Sequence, residues 1–200
     1  MKIVLISGSS RANSESLKVT KWLEHHLNER QVETEIVDLH TTVLPLQHED
    51  IWSDIHDNPT AVSLRKTLDA ADGFVVVTAE WNGMVPPALK NLFVYVKHSM
   101  ANKPAYLVSV SAYRGGNYPI AELRMNSAKN SFVNYIPEHL VVRGAGDLMN
   151  DFDLKTGSDD DQYIKARAEY GLNILIEYTK ALSQVRESGV LDYETYTNGM

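Results

Sequence analysis

A three-layer, doubly wound α/β fold is predicted for this 200-residue chain: a five-stranded parallel sheet with helices on both faces. Three observations predict it. Short apolar or β-branched runs alternate five times with helical patterns, the arrangement that builds a parallel sheet through right-handed crossovers. The first run, Lys2–Ser7, is apolar without alternation, as a strand covered on both faces is. The loops after the first, third and fourth runs carry Gly, Ser, Asn and Arg, and an open sheet of this kind binds its ligands at the carboxyl ends of its strands. A ligand loop after the first strand makes 2-1-3-4-5 the natural strand order, with the crevice between strands 1 and 3.

The elements follow in order. After strand Lys2–Ser7, Leu17, Thr20, Leu23 and Leu27 recur at helical spacing. Glu33–Leu39 alternates and is β-branched, so it is the second strand. Residues 40–59 are polar and irregular, with Pro45 and Pro59 as breakers, and read as a long loop. Thr60–Ala70 is a helix and Gly73–Thr78 the third strand. Val85–His98 is a helix with Leu89, Leu92, Phe93 and Val96 on one face. Ala105–Ser111 is the fourth strand, preceded by Lys103-Pro104. Gly116 to about Phe132 is a helix with a ragged, Gly/Pro-rich start, and Glu138–Val142 is the fifth strand. Gly144–Asp161 is a polar loop. Asp161–Gln184 is a long helix with Ile164, Ala168, Leu172, Leu175 and Leu182 on one face. One ligand-binding domain is expected over residues 1–186, followed by a polar, tyrosine-rich tail at 187–200.

Composition narrows the chemistry. The chain has no cysteine, which excludes disulfides, thiolate catalysis and cysteine-ligated iron–sulfur clusters. The start, Met1-Lys2-Ile3-Val4-Leu5-Ile6-Ser7-Gly8, is too short and too quickly polar for a signal peptide. No apolar run is long enough to span a bilayer, so a cytoplasmic protein without a membrane partner is expected. The net charge of -7 argues against a broad nucleic-acid surface, while leaving room for a local basic pocket. His40, His48 and His56 are spread along a loop without metal-ligand spacing. His25 and His26 are adjacent on a helix and point in different directions. No metal site is expected.

Three loops carry the candidate chemistry. The first, Gly8-Ser9-Ser10-Arg11-Ala12-Asn13-Ser14-Glu15-Ser16-Leu17, opens a helix whose free N–H groups and positive dipole end suit a phosphate. Ser9, Ser14 and Ser16 add hydroxyl donors and Arg11 a fixed cation. The loop is neither a G-x-G-x-x-G nor a Walker pattern, and Ala12 breaks a hydrolase elbow. A terminal monophosphate held by hydroxyls, hence a mononucleotide, fits best. Simple N-capping by Ser14 or Asn13 is the alternative. The second loop is Ala79-Glu80-Trp81-Asn82-Gly83-Met84-Val85-Pro86-Pro87-Ala88-Leu89-Lys90-Asn91. Trp81 there can cover a flat ring, and the backbone of Glu80–Gly83 can hydrogen-bond a polar ring edge. The alternative for Trp81 is a core or interface aromatic. Glu80 receives no acid–base role. The third, Ser111-Ala112-Tyr113-Arg114-Gly115-Gly116-Asn117, frees backbone N–H groups for close approach before a helix start that favours negative charge. An ordinary Gly-Gly turn is the alternative there. Convergence of the three at one crevice is a stronger signal than any one of them.

These residues resemble the NADPH-dependent FMN reductase family, whose fold is flavodoxin-like. The resemblance runs from residue 1 to about 182 and is carried by Gly8-Ser9-x-Arg11-x-x-Ser14, by Glu80-Trp81-Asn82-Gly83-x-Val85-Pro86-x-Ala88-Leu89-Lys90-Asn91, and by Lys103-Pro104 ahead of Gly115-Gly116. It implies that Ser9, Arg11, Ser14 and Ser16 hold the FMN phosphate. It implies further that Glu80, Trp81, Asn82 and Gly83 line the ring, and that Ser111 and Gly115 sit near its edge. The chain departs from the family at Ala79 and Trp81, where Pro-Glu-Tyr-Asn is usual, at Pro87, where Gly is usual, and at Tyr113-Arg114.

An FMN-dependent oxidoreductase is therefore expected, with NADPH or NADH as co-substrate and a small-molecule acceptor: a quinone, an azo or nitro compound, a metal oxyanion or free flavin. The cofactor carries the chemistry, so no catalytic side chain is assigned. The alternative is a flavodoxin-like FMN-binding electron carrier without NAD(P)H turnover. Val94 and Tyr95 lie off the core face of the helix Val85–His98. A helix apolar around most of its circumference is buried on two sides, so a homodimer or a dimer of dimers through this helix is expected.

Overall fold

Five strands form one parallel sheet in the order β2-β1-β3-β4-β5, as the alternation predicts. They are β1 (Lys2–Ser7), β2 (Glu33–Asp38), β3 (Gly73–Ala79), β4 (Pro104–Ser111) and β5 (Asn134–Arg143). The computed structural model describes residues 1–199. β1, β3 and β4 are buried almost throughout because helices cover both faces. Successive side chains of one strand therefore enter two separate cores. Ile3, Leu5, Val75, Val77, Tyr106 and Val108 meet α1 (Glu15–Glu29) and α6 (Asp159–Glu187) on one face. Val4, Ile6, Phe74, Val76, Ala105 and Leu107 meet α3 (Pro59–Asp69), α4 (Pro87–Tyr95) and α5 (Asn117–Asn126) on the other.

Local chemistry sets where the helices begin. Ser14 caps α1 by accepting the Leu17 N–H at 3.1 Å. Asn58 caps α3 by accepting from Thr60 and Ala61, and Pro59 stands in the first turn, where its missing N–H leaves no bond unmade. Ser158 caps α6, and Asp159–Asp161 place negative charge at the positive end of its dipole.

The structure differs from the sequence reading in five places. Residues 40–59 contain a short helix, α2 (Ile51–Asp57). Only Ile51 and Ile55 mark it, too few residues for a periodic signal; they pack on Ala61 and Tyr95. Tyr95 is thus fully buried inside this chain, so the second apolar side of α4 is covered in part by α2 and α3, and Val94 alone of the pair stays exposed. α4 stops at Tyr95, with a 3₁₀ turn at Lys97–Met100. α5 ends at Asn126 rather than near Phe132. β5 begins at Asn134, ahead of Pro137. It is an edge strand, where a proline need not cost a ladder bond, and the register with β4 shifts between Ala105 and Leu107. Beyond α6 the chain returns to the amino-terminal end of β4. There Asn102 donates to the Tyr193 hydroxyl and His98 Nε2 to the Thr197 carbonyl at 2.7 Å.

Lys103 closes the same end of the sheet. Its side chain is buried, and Nζ donates to the carbonyls of Leu68, Asp69 and Ser99 at 2.8–2.9 Å. Burial pushes its pKa down to about 8. Unfolded, the same amine titrates near its ordinary value of about 10.4. Between these two values the unfolded chain binds more protons, so stability rises with pH across that window. In urea unfolding at pH 7.5 and 9.5, the wild type is expected to gain stability relative to Lys103→Met over that interval. A constant difference between the two proteins would mean that the ammonium is not desolvated.

Candidate functional site

The loop after β3 is a closed hairpin. Trp81 N–H donates to the Met84 carbonyl and Met84 N–H to the Trp81 carbonyl, both at 3.0 Å. The two residues between them, Asn82 (φ 51°) and Gly83 (φ 74°), are both in the left-handed region. That is the requirement of a type I′ turn, and Asn-Gly is the pair that meets it most easily. The hairpin leaves Trp81 and Met84 about half exposed, so an indole and a thioether face outward where β3 ends. Glu122 of α5 holds the base, accepting the Val85 N–H at 2.7 Å and pairing with Lys90. Burial works against the Glu122 charge, but the hydrogen bonds from Lys90 and Val85 outweigh it and keep its pKa below the usual range.

The loop after β1 is built around the start of α1. Ser9 is buried, and its Oγ accepts the Arg11 N–H at 3.3 Å. Ser16 is buried in the first turn. Ser14 spends its oxygen lone pair on the Leu17 N–H but keeps its hydroxyl proton to donate. The capping reading and the anion reading of Ser14 are therefore compatible. The N–H groups of Glu15 and Ser16 stand in the first turn, ahead of any intrahelical acceptor. Arg11 is exposed, and its guanidinium carbon lies 5.9 Å from the centre of the Trp81 ring, within cation–π range. The first and second loops thus touch through these two side chains. His40, at the end of β2, adds a hydrogen bond to the Ser10 carbonyl at 3.1 Å.

The loop after β4 meets the second loop directly. The Glu80 carboxylate accepts the Gly116 N–H, and a Cβ built at Gly115 would lie 2.7 Å from both carboxylate oxygens. Gly116 has φ 110° and faces the Val141 side chain, so a side chain there is strained, while one at Gly115 would have to displace the Glu80 carboxylate. Ser111 accepts the Tyr113 N–H at 3.4 Å. Arg143, the last residue of β5, donates to the carbonyls of Arg114 and Gly115. Sequence patterning passes over Arg143. Its only signal is its place at the carboxyl end of a strand, the end at which such sheets bind ligands.

The structure brings Ser9, Arg11, Ser14, Ser16, Glu80, Trp81, Asn82, Gly83, Ser111 and Gly115 to the carboxyl ends of β1, β3 and β4. Those three strands are neighbours in the sheet. The Glu80 side chain is spent on the third loop, and Trp81 is the flat surface. The donor set fits FMN: a helix start with three serines and an arginine for a dianion, an indole for a ring, and the Gly115 N–H for a polar edge. Ser109 Oγ, fully buried and without a hydrogen-bond partner among the described residues, lies 3.6 Å from the position of a Gly116 Cβ and offers one more hydroxyl beneath that loop. A larger groove, about 650 Å³, lies to one side between α4 and α5, lined by Phe93, Val94, Leu123 and Lys129 among others. It adjoins the hairpin at Val85 and Lys90, and its serines, Ser127 and Ser131, donate to the Leu123 and Ser127 carbonyls instead of standing at a helix start.

The family model described as NADPH-dependent FMN reductase matches residues 1–147. An NADPH azoreductase of Bacillus sp. (strain OY1-2) is 32% identical over 147 residues, covering 72% of this chain and 78% of that protein. An NAD(P)H-dependent FMN reductase of Schizosaccharomyces pombe is 27% identical over 162 residues, covering 76% and 81%. Among solved structures, the flavoenzyme NAD(P)H:(acceptor) oxidoreductase of Paracoccus denitrificans superposes with a TM-score of 0.63 at 20% identity. That match covers 92% of this chain and 97% of the other, and shares the fold.

Proposed function

The chain belongs to the NADPH-dependent FMN reductase family, and from that premise we propose how its own residues serve the reaction. It is an FMN-dependent oxidoreductase that uses NAD(P)H. With FMN bound, hydride from NADPH or NADH is passed on to a small acceptor. Ser9, Ser14, Ser16 and the first-turn N–H groups of α1 hold the phosphate, with Arg11 supplying its counter-charge. Trp81, Asn82 and Gly83 line the ring, and Ser111 and Gly115 border its polar edge. No side chain acts as acid, base or nucleophile; the protein orients the flavin and shields it from water. The observation that carries this reading is the convergence of the helix start, the type I′ hairpin and the Gly-Gly loop at three neighbouring strand ends.

The acceptor class we favour is an azo compound or a quinone, which fits the azoreductase relative and the exposed indole, a surface suited to flat molecules. Nitro compounds, metal oxyanions and free flavin follow as candidates. The flavin-binding unit comprises residues 1–186, with the 187–200 tail outside it. The protein works in the cytoplasm and takes no nucleic-acid partner, consistent with its acidic charge. It assembles as a homodimer, or a dimer of dimers, through α4, where Val94 is exposed and Phe93 half-buried along the groove beside α5. Light scattering at micromolar concentration is expected to give at least twice the chain mass, and a monomer would rule the assembly out.

A visible spectrum with added FMN, taken before and after anaerobic NADPH, tests the function. A bound-flavin band that NADPH bleaches is the expected result. A bound flavin that stays oxidised would favour the electron carrier. Arg11→Ala is expected to weaken FMN by about 1.5–3 kcal/mol, the usual cost of losing a hydrogen bond to a charged group. Riboflavin, without a phosphate, is expected to bind as before. Equal losses for both flavins would place Arg11 in support of the fold.

A further inference from the structure

The Arg114–Gly116 loop is gripped from two sides. Arg143 donates from Nε to the Arg114 and Gly115 carbonyls at 3.1 and 3.0 Å, and from Nη2 to Asn117 Oδ1 at 2.9 Å. A trans peptide holds its N–H antiparallel to its C=O. Drawing the two carbonyls toward Arg143 therefore turns the N–H groups of Gly115 and Gly116 the other way. The Gly116 N–H points there to the Glu80 carboxylate. Glu80 is itself anchored, because its N–H donates to the Val110 carbonyl at 3.0 Å and continues the β3–β4 ladder. Without these two grips, a Gly-Gly sequence has the widest backbone freedom of any dipeptide and no fixed peptide planes.

We propose that Arg143 and Glu80 are positioning residues for the flavin: they fix the peptide planes of Gly115 and Gly116, and with them the direction of the Gly115 N–H that this loop presents. The inference rests on the FMN reading above. It gives Arg143 a role, and it makes Glu80 a tie between loops rather than a ring-lining group. It also accounts for the two adjacent glycines. A Cβ at position 115 would push the Glu80 carboxylate off the Gly116 N–H, and position 116 needs a positive φ next to Val141.

The test compares Arg143→Ala, Arg143→Lys, Glu80→Ala and Glu80→Gln by flavin fluorescence titration and by amide NMR of the flavin-free protein. Arg143 is exposed at a strand end, and a urea curve for each variant confirms that it is folded. Arg143→Ala and Glu80→Ala are each expected to weaken FMN and riboflavin by the same factor, about tenfold, the scale of one charge-assisted hydrogen bond. Glu80→Gln keeps an acceptor for the Gly116 N–H and restores wild-type affinity. Arg143→Lys keeps one donor and restores part of it. In the flavin-free protein, Arg143→Ala shifts the Gly115 and Gly116 amide signals, and Glu80→Ala speeds hydrogen exchange at Gly116. Wild-type constants for both flavins in Arg143→Ala, or a loss confined to FMN, would overturn the proposal, as would unmoved glycine amides. A wild type that binds no flavin would instead sink the FMN reading, and the amide signals would still judge the two grips.

Discussion

Asp161→Ala is expected to destabilise the protein by about 3 kcal/mol, from taking the buried one of two carboxylates off a buried charge and leaving a buried backbone donor unpaired. The charge is Lys165, whose side chain is fully buried on α6. Its Nζ meets Asp161 Oδ2 and Asp151 Oδ1, both at 2.9 Å, and the Asp153 carbonyl at 2.9 Å. Burial opposes the ammonium, and the two carboxylates outweigh it, so its pKa stands above the usual value. Asp151 is half exposed, whereas Asp161 is buried and also accepts the Met149 N–H at 2.6 Å. Removing Asp161 therefore leaves the cation with only the half-exposed carboxylate of Asp151 and strands a buried backbone donor. The hub holds the 144–158 loop, which in turn holds α1: Lys18 donates to the Ala145 carbonyl and Trp22 Nε1 to the Asp151 carbonyl. Since α1 opens at the loop proposed to hold the phosphate, loss of the hub is expected to weaken FMN binding as well. Urea unfolding of Asp161→Ala, Lys165→Met and the double variant reads the pairing. The double variant is expected to be more stable than Asp161→Ala, because an apolar replacement of a buried ion pair costs far less than half of one. A loss below about 1 kcal/mol for Asp161→Ala would mean that water already reaches Lys165.

The sheet and the three loops are legible in the sequence because their signals are local. A strand buried on both faces reads as an uninterrupted apolar run, Gly73–Thr78 above all, and Asn82-Gly83 names its own turn type. What the sequence does not disclose depends on contacts between distant residues. Glu80 looks like a solvated carboxylate until Gly116, thirty-six residues on, is folded beside it. Arg143 belongs to β5, a strand whose loop shows no ligand chemistry, and its role comes from the adjacency of β4 and β5. α2 carries two isoleucines, and Ala61 and the ring of Tyr95 give them something to cover. In each case the residue type is visible in the sequence and its partner is not.

Gly171→Ala is expected to cost about 3 kcal/mol, the upper end of what one extra methyl group costs in a filled core. Gly171 lies in the middle of α6, where glycine is ordinarily the wrong residue: alanine there gains roughly 0.5–1 kcal/mol of helix stability. Packing reverses the sign. A Cβ at this position would fall on the Tyr106 ring, against Cζ and the hydroxyl oxygen. Tyr106 belongs to β4, is fully buried, and has neighbours from β4, β5 and α6 in the same core, so the ring has no room to swing aside. α6 must lift from the sheet, opening the core that its Ala168, Leu172 and Leu175 close. For a domain of this size the loss corresponds to about 6–12 °C in Tm. Tyr106→Leu in the Gly171→Ala background removes the clash and is expected to recover most of the loss, a coupling that a double-mutant cycle measures directly. Gly171 lies on the α1/α6 face of the sheet, away from the three ligand loops, so FMN affinity of the folded fraction is expected to stay at the wild-type value. Saturating FMN is then expected to raise the Tm of the variant and of the wild type alike. A Gly171→Ala protein as stable as the wild type would mean that α6 slides along Tyr106 instead of resting on it, and the close approach of helix and sheet at this glycine would lose its structural meaning.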